Sequence, residues 1–164
     1  MTASSPTIVL GYQECPAGTA ALQVAADLTR RLGGSLHVVH ALPSLDVGTI
    51  TAVSGAPIAV PDTLDTEQLE QLKAEQSATI EAVLREVDVP HTLTVDSAHP
   101  ATLIAREAER VQAYLVVVGA SQSGFGAAID RALSGGSTAH ALEQDVRHHS
   151  RWPLLLVPSP ESRR

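Results

Sequence analysis

Ile8–Ala41 reads IVLGYQECPAGTAALQVAADLTRRLGGSLHVVHA, and the order of elements inside it decides the fold. Thr7–Gly11 (TIVLG) is brief, β-branched and closed by glycine, which predicts a buried strand. From Ala17 to Leu32 the apolar positions Ala21, Leu22, Ala25, Leu28 and Leu32 recur on one helical face. Pro16 is tolerated in a first helical turn, and Gly33-Gly34 is a helix stop. Ser35–Ala41 (SLHVVHA) then predicts a second strand.

The same alternation continues downstream. Pro43–Thr63 has prolines and glycines without a clear period and reads as a long loop, of the kind that forms lids or insertions. Asp65 with Gln68 resembles a capping box. The helix it opens runs to about Val87, with Leu69, Leu72, Ile80, Val83, Leu84 and Val87 inward, and Pro90 ends it. His91–Asp96 (HTLTVD) predicts a third strand. Pro100 starts a helix whose inner face is Leu103, Ile104, Ala108 and Val111. Leu115–Gly119 (LVVVG) is the most strand-like run in the chain. A Gly/Ser-rich loop follows to about Ser134, then a helix from Ser137 to near Arg147, and Pro153 leads into a last strand, Leu154–Val157 (LLLV). Alternating strands and helices with strands buried on both faces predict an α/β fold: one domain, residues 7–158, with an open five-stranded parallel sheet and helices on both faces. Short tails, 1–6 and 159–164, flank it.

Composition agrees and excludes several roles. Apolar residues make up 44% of the chain but aromatics only 2%, so the core must be built from Val, Leu, Ile and Ala. The formal charge of −7 argues against sequence-independent binding to nucleic acid or anionic lipid. The arginine-containing stretch from Arg147 to Arg164 is the one candidate basic patch, and a solvated tail is the plainer reading. One cysteine, Cys15, forbids an internal disulfide, and MTASSP lacks the basic and apolar regions of a signal peptide. No apolar run approaches the roughly 20 residues of a membrane helix. A cytoplasmic protein is expected.

Across nearly its whole length the sequence resembles the universal stress protein family. IVLGYQECPAGTAALQVAADLTRRLGGSLHVVHA is similar, without a gap, to the family pattern IVVGVDGS-P-x-S-x-x-AL-x-x-A-x-x-L-A-x-x-x-G-A-x-L-x-x-V-H-V. HPATLIAREAERVQAYLVVVGA is similar to G-x-P-x-x-x-I-x-x-x-A-x-x-x-x-x-D-L-I-V-V-G. The resemblance implies a Rossmann-like, adenine nucleotide alpha hydrolase-like sheet of order 3-2-1-4-5. Its ligand would lie in the crevice between the first and fourth strands, where such sheets place ligands. It implies adenine contacts at Gly11, Tyr12, Gln13 and Ala41. The phosphates would lie along the loop from Gly119 through Ser121, Gln122 and Gly124, with Arg131 adding charge and Gly135, Gly136, Ser137 and Thr138 opening a helix. Magnesium would accompany a triphosphate.

That loop departs from the family's G-x-x-G-x9-G-[S/T]. Gln122 stands at the second glycine, and Gly135 aligns with the third, although a shift by one residue is equally defensible. The acidic residue after the first strand is Gln13 here, followed by Glu14 and Cys15. Glutamine reaches positive φ less readily than glycine, and a carboxylate facing phosphates repels them. Against this, Gly135–Thr138 is a turn of small residues into a helix N-terminus, which favours an anion.

Other residues read blandly. Cys15 near a helix start is a small capping residue before it is a redox sensor. His37 and His40 sit at odd spacing in a strand and so point to opposite faces. His148 and His149 are adjacent on a helix and do not converge on one metal. No phosphate-binding lysine loop, nucleophile elbow or metal-spaced His/Cys cluster is present. The expectation is a non-enzymatic homodimer, paired through Leu154–Val157, that holds ATP or another adenine nucleotide and signals to a protein partner. The alternatives are a nucleotide-free scaffold of the same fold and a slow ATP hydrolase.

Overall fold

The computed structural model describes residues 5–42, 66–120 and 152–160. In chain order these hold β1 (Thr7–Gly11), α1 (Pro16–Leu32), β2 (Ser35–Ala41), α2 (Thr66–Leu84), β3 (His91–Asp96), α3 (Pro100–Arg110), β4 (Leu115–Ala120) and β5 (Leu154–Pro158). The five strands form one sheet of order β3-β2-β1-β4-β5, with every neighbouring pair parallel. The chain therefore lays down β1, β2 and β3 in one direction, then returns to place β4 on the other side of β1.

Side chains of a strand alternate between faces, and here both faces are covered. Ile8, Leu10, Leu36, Val38 and Val117 join Ala21, Leu22, Ala25, Ile80 and Leu84 in one cluster beneath α1 and α2. Val9, Val39, Val116 and Val118 join Leu103, Ile104, Ala108 and Trp152 in a second, beneath α3. Fully burying each such aliphatic side chain is worth roughly 1.5–3 kcal/mol, so these two clusters dominate what holds the layers together. The small residues of α1 let it sit close to the sheet: Ala21, Ala25 and Ala26 are completely buried.

Helix ends follow local chemistry. Cys15 is the N-cap of α1, its Sγ accepting the Gly18 N–H at 3.3 Å, and Pro16 occupies the first turn. Gly33 closes the helix at φ 61°, the left-handed conformation that glycine adopts without a Cβ penalty. Three sequence expectations are corrected. Leu32 is 42% exposed rather than inward, because the last turn of α1 overhangs its cluster. Leu69 and Leu72 are only half-buried, since α2 makes its core contacts through Ile80 and Leu84 near its other end. The α2 helix stops at Leu84 rather than Val87. The chain tightens there through Val83–Glu86 and Leu84–Val87 backbone bonds, and Asp88 turns to φ 47°. The loop Pro43–Thr63, the capping residue Asp65, the helix Ser137–Arg147, His148 and His149 lie outside the described residues.

Candidate functional site

The strand order reverses between β1 and β4, and in open α/β sheets the crevice for a ligand lies beyond the C-terminal ends of the strands at such a point. Gly11 pairs with Val118, so Gly119 sits one step beyond the end of β1. A Cβ on Gly119 would lie 2.6 Å from the Ala17 carbonyl oxygen and 3.0 Å from the Gly18 nitrogen. One on Gly18 would lie 1.8 Å from the Gln13 carbonyl oxygen. The end of β4, the first turn of α1 and the β1–α1 loop thus meet backbone to backbone. That approach is possible only without side chains at positions 18 and 119.

The described site residues take distinct places. Gly11 is walled by Ile104 of α3 and by Val118. Tyr12 is 7% exposed and sits in the cluster beneath α1, its N–H donating to Val39 O at 2.9 Å. His40 Nδ1 donates to the Tyr12 carbonyl at 3.1 Å. The Gln13 carbonyl accepts the Cys15 N–H at 2.8 Å, which tightens the loop. Ala41 ends β2 opposite Asp96 and packs on the cluster beneath α3. Ser121, Gln122, Gly124, Arg131, Gly135, Gly136, Ser137 and Thr138 lie outside the described residues.

Beside the start of α1 is a cavity of about 670 Å³ lined by Tyr12, Glu14, Cys15, Pro16, Thr19, Ala20, Gln23 and Pro160. Its volume falls in the usual range for small-molecule sites, but its chemistry is not that of an anion cradle. Pro16 has no N–H to offer, and the Cys15 thiol already takes the Gly18 N–H. Glu14 is exposed at the rim and disfavours a polyphosphate there. Burial pushes the Tyr12 phenol above its ordinary 10.0, and the charges of Glu14 and Cys15 add to the rise.

The sequence reading missed a polar cluster on the opposite face of β2. His37 and Glu107 are buried, at 3% and 4% exposure. His37 Nε2 lies 3.1 Å from Glu107 Oε2, and His37 Nδ1 lies 2.7 Å from Thr92 Oγ1. Arg110 donates to the same carboxylate oxygen at 2.6 and 2.8 Å. A signal was available: Glu107 follows Leu103 and Ile104 by four and three residues, so it falls on their inward stripe and needs a partner there. Among the described residues no group of three His, Cys, Asp or Glu side chains could hold a metal ion.

The sequence matches the universal stress protein family over residues 5–158. No curated protein matches it. Solved structures share its fold. A universal stress protein from Archaeoglobus fulgidus DSM 4304 matches at 17% identity and TM-score 0.55, covering 95% of this chain and 45% of its own. The universal stress protein from Archaeoglobus fulgidus in complex with dAMP matches at 19% identity and TM-score 0.53, covering 96% and 99%. A universal stress family protein from Arabidopsis thaliana with AMP bound matches at 13% identity and TM-score 0.52, covering 96% and 95%. Among the described residues no helix is long and apolar enough to cross a membrane. With the family's sheet order, its crevice and a match over nearly the whole sequence, this chain belongs to the universal stress protein family.

Proposed function

We propose that the chain is a cytoplasmic binding protein that holds an adenine nucleotide, ATP among the candidates, in the crevice beyond β1 and β4. One observation carries the reading: the side-chain-free meeting of Gly119 with Ala17 and Gly18 at the point where the strand order reverses. The dAMP and AMP complexes of the structural neighbours support it. The base would lie near Gly11, Gln13 and Ala41. The phosphates would lie along Ser121–Thr138 rather than at the α1 N-terminus, where Pro16 lacks an N–H, Cys15 takes that of Gly18, and Glu14 stands. Magnesium, if taken up, would arrive with a triphosphate. Occupancy itself, relayed to a partner protein, would be the output. Homodimerisation would pair β5 with its copy; Leu156, 42% exposed on that edge strand, supports this.

The test is calorimetric titration with AMP, ADP, ATP and cyclic AMP, on the wild type and on Gly135→Val, Gly136→Val. Micromolar binding by the wild type, lost in the variant, is expected. Absence of heat with every nucleotide at high protein concentration overturns the reading. The capped α1 N-terminus and exposed Glu14 favour the second reading, a nucleotide-free scaffold, and that result would leave it standing. Sedimentation of the wild type and of Leu156→Asp tests the dimer: two-fold mass that falls to one chain in the variant is expected. Phosphate release above a heat-inactivated control would instead indicate a slow hydrolase.

A further inference from the structure

We propose that the buried His37–Glu107–Arg110 cluster is an acid-sensitive clamp, in which proton uptake by His37 loosens α3 from β2 and β3. The clamp is independent of nucleotide binding and lies on the far face of β2 from the Tyr12–His40 contact. Three elements contribute to it. β2 supplies His37, and β3 supplies Thr92 and Thr94, the latter 3.4 Å from Glu107 Oε2. The α3 helix supplies Glu107, Arg110 and Arg106, whose Nε lies 3.4 Å from Glu107 Oε1. Arg106 continues to Asp96 at the end of β3, and Lys73 of α2 reaches Asp96 from the other side.

Donor and acceptor roles fix the resting state. A carboxylate only accepts, so His37 Nε2 carries a hydrogen toward Glu107. With a neutral ring, Nδ1 then accepts from the Thr92 hydroxyl. With one proton on the ring, His37, Thr92 and Glu107 are all paired; Arg110 Nη2, 3.4 Å from Nε2, faces it donor to donor and gives its hydrogen bond to Glu107. A second proton would reverse the Thr92 hydroxyl and place a third cation beside a carboxylate that already faces two guanidinium groups, in a pocket shielded from water. Burial pushes the imidazole below its ordinary 6.5; the hydrogen bond and charge of Glu107 oppose this, and Arg110 reinforces it. The unfolded chain therefore binds the proton more tightly than the folded one. The stabilisation is present above pH 6.5 and is lost as pH falls through 6.5 toward the folded value. Because α3 also presents Ile104 to Gly11, loosening it changes one wall of the crevice.

The test follows the His37 ring by NMR and the α3 amides by hydrogen exchange, at pH 7.5 and 5.5, with exchange corrected for intrinsic rates. The expected result is an Nε2–H tautomer at pH 7.5, titration below 6.5, and selective loss of protection across residues 103–110 on acidification. A ring that titrates above 6.5, or α3 protection unchanged while His37 titrates, overturns the proposal. His37→Gln keeps an amide donor toward Glu107 but cannot titrate. Its urea midpoint should fall less than that of the wild type between the two pH values, and an equal fall would assign the linkage to other histidines. The wild-type ring and exchange measurements decide the matter if that variant does not fold.

Discussion

Gly18→Ala tests the geometry on which the crevice depends. The new Cβ would stand 1.8 Å from the Gln13 carbonyl oxygen and 2.9 Å from its carbon. An ordinary carbon–oxygen contact needs ~3.3 Å, so the β1–α1 loop must retreat by about 1.5 Å. It cannot yield cheaply: the same oxygen accepts the Cys15 N–H, and Cys15 caps the helix through Gly18 itself. Overpacking of this kind costs ~1–3 kcal/mol, and contact with backbone rather than a side-chain tip puts it at the upper end. Alanine returns up to ~1 kcal/mol of helix propensity, leaving a net loss of about 2 kcal/mol. For a chain of this length that lowers Tm by roughly 4–8 °C. Thermal melts measure the loss, and the rate of thiol labelling at Cys15 reports whether the loop moved. Gly33→Ala is the comparison. Its φ of 61° strains any other residue, but its Cβ would meet nothing within 4 Å. It should lower Tm and leave the labelling rate unchanged. A Gly18→Ala protein that melts within about 1 °C of the wild type, with an unaltered thiol, would refute the packing argument.

Three further outcomes are expected. Cys15→Ala removes the α1 cap and should cost ~0.5–2 kcal/mol in urea unfolding, while Cys15→Ser, keeping an acceptor at that position, should match or exceed the wild type. Asp96→Asn loosens the clasp of Arg106 and Lys73 on the end of β3. This partly exposed arrangement should cost no more than ~1 kcal/mol, and less in 1 M salt. The Arg106 hydrogen bond leads the influences that hold the Asp96 carboxyl below 3.8, against burial, so its contribution is present above that pH and fades as pH falls below it. In alkaline absorbance titration Tyr12 should ionise above its ordinary 10.0, and Tyr12→Phe should remove the late part of the curve; the stability tied to it holds below pH 10 and is lost as pH rises through the folded value.

The strands were legible because each is buried on both faces. A run such as LVVVG, apolar throughout, fits the middle of a parallel sheet covered on both faces. The helix starts were legible from Pro16 and Pro100, and the sheet order came with the family resemblance. Helix periodicity was a poorer guide to burial near the ends of helices. Leu32 lies in phase with Leu28, yet phase says only which way a side chain points, and at the last turn of α1 it is left 42% exposed. Leu69 and Leu72 are in phase with the inward face of α2 for the same incomplete result. At the site, the glycine pattern pointed to the crevice, but it could not separate the two roles of Tyr12. The resemblance implies an adenine contact at this position, while the structure buries its ring in the core. Glu107 escaped notice because a carboxylate on an apolar stripe looks like a solvated residue until its partners are known. Its partners across the sheet, His37 on β2 and Thr94 on β3, stand 70 and 13 residues earlier in the chain.

The four residues His37-Val38-Val39-His40 show how one strand can serve two neighbours at once. Odd spacing sends the imidazoles to opposite faces, and each meets a group that a hydrocarbon could not satisfy. His40 donates to the Tyr12 carbonyl and so fixes where β1 gives way to the loop before α1. His37 donates to Glu107 and so fixes where α3 lies on the sheet. Val38 and Val39 between them fill the two cores. The β1–α1 loop and α3 border the same crevice, through Gly18 on one side and Ile104 against Gly11 on the other. Both are therefore set by polar contacts from β2, which is not one of the two strands between which the order reverses. A change at either histidine should be felt at Gly11 without any residue of the crevice being altered. The difference lies in chemistry: a carbonyl accepts from neutral and charged imidazole alike, whereas the Glu107 pocket, already holding two guanidinium groups, resists a further positive charge.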